Sequence, residues 1–195
     1  IPPLVKHMFH TLLSYIIVDF NSMLEKRVFP RVFKIQNNII VLLVVKKLGG
    51  IRMITVKHTD ELTPKELIDI LKERVKVFVV EQNCPYQEVD DDDYNDLHVC
   101  LTEDGQLKAY TRIIDKGDHI TFGRVLVAKE FRKNGLGEKI VATTINEIKQ
   151  RFPKQPIQIQ AQAYLQKFYE QFGFKAISDV YLEDNIPHLD MLLKF

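Results

Sequence analysis

Between Ile120 and Ile148 the side-chain period changes once, and a glycine turn marks the place. Ile120 to Val127 alternates as a strand, while Ile140, Val141, Thr144, Ile145 and Ile148 recur at helical spacing. Arg132-Lys133-Asn134-Gly135-Leu136-Gly137 lies between them. Glycine takes φ > 0 and lets a guest approach the backbone closely. The first N–H groups of the following helix have no partner within that helix. Together they form a cradle for phosphate, aided by the helix dipole. Arg132 and Lys133 add positive charge for the same guest. Short glycine turns also serve as plain connectors, so the unit alone leaves both readings open. GxxxxGK[ST] is absent, and so is GxGxxG with an acid about twenty residues on, which excludes an ATP-type P-loop and a dinucleotide fingerprint.

The chain around this unit alternates strands and helices. Ile54 and Val56 alternate with Thr55 and Lys57 as a short strand. Thr63-Pro64-Lys65-Glu66 reads as a helix start, with Thr63 as cap, Glu66 closing a capping box and Pro64 at the first position. Leu67, Ile70, Leu71, Arg74, Val75 and Phe78 then share one helical face. Asn83 to Asp96 is a polar loop whose aspartate run, Asp90 to Asp93, is expected to be solvated or to draw cationic substrates by its field. Leu97–Leu101 and Gln106–Ile114 read as strands joined by Asp104-Gly105, a strong hairpin signal. After the central helix, Ile157-Gln158-Ile159 is a strand, and Leu165, Phe168, Tyr169 and Phe172 form a helical face stopped by Gly173. Phe174–Tyr181 and His188–Phe195 are expected as two closing strands. The fold class is α/β (α+β), a sheet with helices packed on its faces.

The 195 residues carry 27 Lys+Arg against 26 Asp+Glu, a net charge of +1. No global field attracts nucleic acid or anionic lipid. Cys84 and Cys100 have no metal-like spacing, so a metal site is not expected, and a reducing cytoplasm is the natural setting. Residues 1–52 carry two short apolar runs, both below the ~20 residues that a spanning helix needs, so no membrane partner is expected. This extension reads as lying outside the functional domain, or else as a membrane-surface anchor; residues 53–195 form the functional domain, with Met53 the expected natural start.

At this point the residues resemble a known family. Arg132-x-x-Gly135-x-Gly137 is similar to the acetyl-CoA loop of the GNAT superfamily of N-acetyltransferases, and Gly123-Arg124-Val125-Leu126-Val127 resembles the strand that feeds it. Phe168-Tyr169-Glu170-Gln171-Phe172-Gly173-Phe174 resembles a later segment of that family. Arg74-Val75-x-Val77-Phe78-Val79-Val80-Glu81-Gln82-x-Cys84-Pro85-Tyr86-x-Glu88-x-Asp90 and Glu183-Asp184-x-Ile186-Pro187-His188 are similar to the ElaA-like subgroup. The resemblance implies a mixed, mostly antiparallel twisted sheet with helices on both faces and a V-shaped splay for acetyl-CoA. It implies that Val125, Leu126 and Val127 meet the pantetheine arm. The pyrophosphate falls to the backbone of Arg132, Lys133, Asn134, Gly135, Leu136, Gly137 and Glu138, with Arg132 as a positioning side chain.

The implied reaction moves an acetyl group to a primary amine of a small molecule or peptide. Acetyl transfer needs a neutral amine, and a free alkyl amine has a pKa near ~10.4, so water or a base must remove a proton. The oxyanion needs a donor such as a strand N–H. By resemblance Tyr169 is the general acid for the leaving thiolate; on residue type alone, a tyrosine on an apolar helix face is more often core. Glu88, His98 and His188 are candidates for the base or the acceptor side, since they fall in segments flanking it. A CoA-binding sensor without transfer activity is the alternative. The enzyme is expected as a monomer or homodimer.

Overall fold

The computed structural model describes residues 52–195, and these fall within one compact unit. The apolar runs of the extension and its expected place outside the functional domain lie outside the described residues, except Arg52, which opens the first strand. The strands are β1 (Arg52–His58), β2 (Leu97–Glu103), β3 (Gln106–Asp115), β4 (Ile120–Val127), β5 (Ile157–Gln162), β6 (Lys175–Ala176), β7 (Tyr181–Glu183) and β8 (Ile186–Leu193). They form one sheet in the order β1-β2-β3-β4-β5-β8-β6, with β7 pairing β8. Every pairing is antiparallel except β4 with β5. Asp104 and Gly105 both take positive φ, 52° and 74°, so the hairpin read from the sequence is the tight turn joining β2 to β3.

Side-chain alternation covers both faces of this sheet. Val99 and Leu101 on β2, with Ala109 and Ile113 on β3, pack under α2 (Leu136–Arg151), whose Ile140, Val141, Ile145 and Ile148 face them. Cys100 and Tyr110 point the other way, to Ile70 of α1 (Pro64–Arg74) and to Val77. Each face is therefore closed by a helix, which is what a strand with buried residues on both sides requires. The capping box at the start of α1 is formed: the Glu66 N–H donates to Thr63 Oγ1 at 3.3 Å and the Thr63 N–H to Glu66 Oε2 at 2.8 Å.

The structure corrects the sequence reading in three places. The helical face ending at Phe78 does not continue as an α-helix. From Val75 to Glu81 the turn widens to a π-helix, with Gln82 N–H on the Val77 carbonyl and Cys84 N–H on that of Val79, both five residues back. The β-branched run Val75, Val77, Val79, Val80 crowds a tighter helix. The expected strand Phe174–Tyr181 breaks into β6 and, from Tyr181, β7, which pair with Met191–Leu192 and with Ile186–His188 of β8. The segment 166–170, α3 (Gln166–Glu170), is one short helix entered through a 3-10 turn. The aspartate run, described below, also departs from its expected solvated state.

The splay between β4 and β5 positions the site. These neighbours pair only at Ile120 and Ile157, where both begin, and then diverge. A bulge in β4 lies downstream. Tyr110 faces Leu126 and Arg112 faces Gly123, so Thr111 alone opposes both Arg124 and Val125. An extra residue bends a strand and sharpens its twist, which swings the far end of β4 away from β5.

Candidate active site

The V opens at the carboxyl ends of β4 and β5, where parallel neighbours leave room for a ligand. The cleft there measures about 840 Å³, within the range of small-molecule and cofactor sites. Val125, Leu126, Val127, Arg132, Lys133, Gly135, Leu136 and Gly137 all line it. Asn134 and Glu138 do not; Asn134 bonds the Phe131 carbonyl at 3.3 Å, and Glu138 is exposed on the first turn of α2.

The cradle is built from main chain. Gly135, at φ +70°, is the N-cap of α2, and no side chain caps the helix. Most helices place Ser, Thr, Asp or Asn there to satisfy the first N–H groups. In this helix those donors keep no side-chain partner and face the cleft, with the positive end of the dipole behind them. The turn itself is anchored from below. Ala128 N–H donates to the Lys108 carbonyl at 2.9 Å, and the buried Lys108 ammonium sits 3.2 Å above the centre of the Phe131 ring. Arg132 donates from Nε to the Val127 carbonyl at 3.0 Å, and both of its terminal nitrogens meet the Glu81 carboxylate on the π-helix. That guanidinium holds the Glu81 carboxyl below the usual carboxylate range. Arg132 thus ties the end of β4 to the π-helix, a contact that the sequence reading did not place.

Tyr169 lies on α3 between Phe122, Phe168 and Phe174, and is 5% exposed. It lines the cleft, and burial raises its phenol above the ordinary value. No described group hydrogen-bonds its hydroxyl.

The three candidate bases fall in three different environments. His188 on β8 lines the cleft and stacks on Tyr181, with ring centroids 6.4 Å apart. Its Nδ1 lies 2.8 Å from the Ile186 carbonyl. A carbonyl only accepts, so Nδ1 carries the hydrogen, and Nε2 of the neutral ring keeps a lone pair. His98 is 1% exposed and does not line the cleft. It bridges Tyr110 Oη at 2.7 Å and Thr59 Oγ1 at 2.8 Å, and burial lowers its pKa to about 4. Glu88 is 3% exposed, also outside the lining, and its Oε1 accepts from Arg74 Nε at 2.8 Å and Arg124 Nε at 2.9 Å.

Glu88 belongs to a buried ion network that replaces the expected solvated loop. Arg74, fully buried at the end of α1, also donates to both oxygens of Asp93, at 2.5 and 2.9 Å. Arg112 on β3 meets Asp90 at 2.6 and 2.7 Å, Asp93 at 2.8 Å and Asp96 at 3.0 Å. Burial alone would raise Asp93, but the hydrogen bonds from Arg74 and Arg112 override it and hold the carboxyl far below its ordinary value. Asp96 goes the other way: burial, with the neighbouring aspartates, pushes it up to about 7 against the pull of Arg112. Asp90, Asp93 and Asp96 are therefore internal partners of arginines rather than a field in solvent, while Asp92 lines the cleft and pairs with Lys116 at 2.9 Å, and Asp91 is exposed. A sequence signal for this existed in Arg74, a cation on the apolar face of a helix, which must bring its own carboxylates.

The free end of a main-chain anion cradle, at the mouth of a splayed parallel strand pair, is the geometry by which known proteins can be compared. A family model described as an acetyltransferase (GNAT) domain matches residues 61–195. Protein ElaA of Escherichia coli strain K12 is 39% identical over 139 residues, 69% of this chain and 91% of that protein. Its crystal structure superposes with a TM-score of 0.70, covering 73% of this chain and 99% of that one. An acyl-CoA N-acyltransferase from Pseudomonas aeruginosa is 40% identical at a TM-score of 0.69, covering 72% and 99%. An aminoglycoside 6'-N-acetyltransferase complexed with coenzyme A has a TM-score of 0.53 over 72% of this chain and 96% of that one; at 15% identity, the likeness speaks for the fold alone. Among the described residues, no helix is long and apolar enough to cross a membrane, and no cluster of ligating side chains could hold a metal ion. This chain belongs to the GNAT acetyltransferase family, within its ElaA-like subgroup.

Proposed function

We propose that the chain is an acetyl-CoA-dependent N-acetyltransferase that transfers an acetyl group to a primary amine by direct attack on the thioester. The observation that carries this reading is the uncapped start of α2 at the open end of the V, behind a glycine N-cap at φ +70°. Its free N–H groups suit a diphosphate, and Lys133 at the rim adds charge. The unpaired edge of β4 beyond Ile120 suits the amide groups of a pantetheine arm. Bound acetyl-CoA supplies the thioester carbonyl that the amine attacks.

The chain's own residues then divide the work. Main-chain N–H groups of Val125 to Val127 receive the charge that develops on the carbonyl oxygen. Tyr169 donates its phenolic proton to the departing sulfur; among the described residues no group holds its hydroxyl. His188 Nε2 takes the amine proton, directly or through water. Glu183 and Asp184, across the cleft and without a cationic partner among the described residues, favour a cationic acceptor. Glu88 and His98 hold structural positions in this reading. Cys84 and Cys100 are both free thiols, in keeping with a reducing cytoplasm.

The test is thiol release from acetyl-CoA across a panel of small primary amines and peptides. We expect turnover with at least one acceptor. Tyr169→Phe should lower it roughly hundredfold, the scale of a general acid, while coenzyme A affinity stays near normal. Coenzyme A binding without turnover on any amine would favour a CoA sensor instead. Unchanged turnover in the Tyr169→Phe variant would remove the acid role.

A further inference from the structure

We infer that Arg124 is a positioning residue: through Glu88 it clamps the bulge of β4 in the shape that opens the V. The inference rests on the proposed reading of the cleft, and it assigns the Arg124 side chain a role in strand geometry rather than in contact with acetyl-CoA.

Arg124 is one of the two residues that oppose Thr111, and its φ is +51°. That left-handed conformation is natural for glycine and unfavourable for a residue with a Cβ. Gly123 directly precedes it, yet the positive φ falls on the arginine. Something must hold it there, since such strain persists only where the surroundings over-determine it. The guanidinium supplies three contacts: Nε to Glu88 Oε1 at 2.9 Å, Nη2 to the Glu88 carbonyl at 3.2 Å, and Nη2 to Asp90 Oδ2 at 3.1 Å. Its outer face lies over Tyr86, 5.6 Å from the ring centre.

The far end of the clamp is rigid. Glu88 gives the same carboxylate oxygen and the same carbonyl to Arg74, at 2.8 and 3.1 Å, and Arg74 is fully buried where α1 passes into the π-helix. Asp90 is gripped by both terminal nitrogens of Arg112. The bulge is thus tied, through one half-buried side chain, to a network anchored in α1 and β3. Only a forked donor reaches all three acceptors together; a lysine ammonium cannot. Removing Arg124 leaves Glu88 paired with Arg74 and Asp90 paired with Arg112, so the fold keeps its buried charges neutralised.

Arg124→Gly and Arg124→Ala separate a backbone role from a charge role. Both remove the guanidinium; only alanine retains the Cβ penalty at φ +51°. Acetyl-CoA affinity by calorimetry should fall less than threefold in Arg124→Gly and about tenfold in Arg124→Ala, the scale of the strain. Amide hydrogen exchange along residues 123–127 of the unliganded protein should quicken more in the alanine variant than in the glycine variant, while β1 and β2 stay protected. The exchange measurement needs no ligand, so it decides the clamp even if the wild type were to bind no acetyl-CoA, an outcome that would count against the proposed function instead. Equal effects of the two substitutions, or none from either, in affinity and exchange would overturn the clamp.

Discussion

The two walls of the cleft are made by opposite means. On the cradle side, recognition belongs to the backbone: a left-handed Gly135, an uncapped helix start and the free edge of β4. Side chains there brace the turn, as Arg132 and Lys108 do, and leave the donors bare. On the loop side, between Tyr86 and Asp96, shape comes from side chains: Arg74, Arg112 and Arg124 knit Glu88, Asp90, Asp93 and Asp96 into a buried ionic lattice. A backbone site tolerates many sequences as long as the turn can form. A buried ionic lattice tolerates few at its centre, because losing a buried member such as Arg74 or Arg112 strands charges in a medium that solvates them poorly.

The contrast predicts where substitutions hurt stability and where they hurt binding. Arg74→Met should have the largest effect, lowering unfolding free energy by about 3–5 kcal/mol, as expected for breaking a buried ion network from one side. A urea titration reads it; a loss under about 1 kcal/mol would mean that the lattice is no more than surface pairing. Gly137→Asp should do the reverse. Its Cβ has room, the nearest atom being a Val127 methyl 3.9 Å away, and an acid in the first turn favours the helix dipole. The melting temperature should hold or rise, while coenzyme A affinity falls about hundredfold as a carboxylate enters the anion cradle.

The smallest effect concerns pH. His98 titrates near 6.5 when unfolded and at about 4 when folded. Between those values the unfolded chain binds more protons, so stability falls as pH falls through this window. From pH 7 to pH 5 His98 should account for about 2 kcal/mol of lost stability. His98→Gln should flatten that part of the profile, in a comparison of urea midpoints at the two pH values. An unchanged slope would place the histidine's protonation elsewhere than in folding.

How much of this could be read from the sequence follows the same division. The cradle was legible because its constraint is local: a period change, Gly135 and Gly137 suffice to place strand, turn and helix. The Thr63–Glu66 capping box and the Asp104-Gly105 hairpin were legible for the same reason. The ion lattice was not. Asp90 to Asp93 has the composition of a solvated run, and pairing with Arg112, on β3, and with Arg74 takes Asp90 and Asp93 out of it. Glu88 read as a possible base because its loop borders the cleft; its carboxylate turns inward to two guanidiniums, which no local pattern announces. The break of the expected strand 174–181 into β6 and β7 likewise depends on how each pairs with β8 opposite.

The central claim is that main-chain amides at the start of α2 hold a diphosphate and so set a thioester in the V. Titration calorimetry of the full chain with acetyl-CoA and with acetylpantetheine, which lacks the diphosphate, tests it most directly. The account predicts measurable uptake of acetyl-CoA and at least about hundredfold weaker uptake of acetylpantetheine, as befits an anion site at a helix N-terminus. Equal affinity for the two, or no uptake of acetyl-CoA by the folded protein, would contradict it.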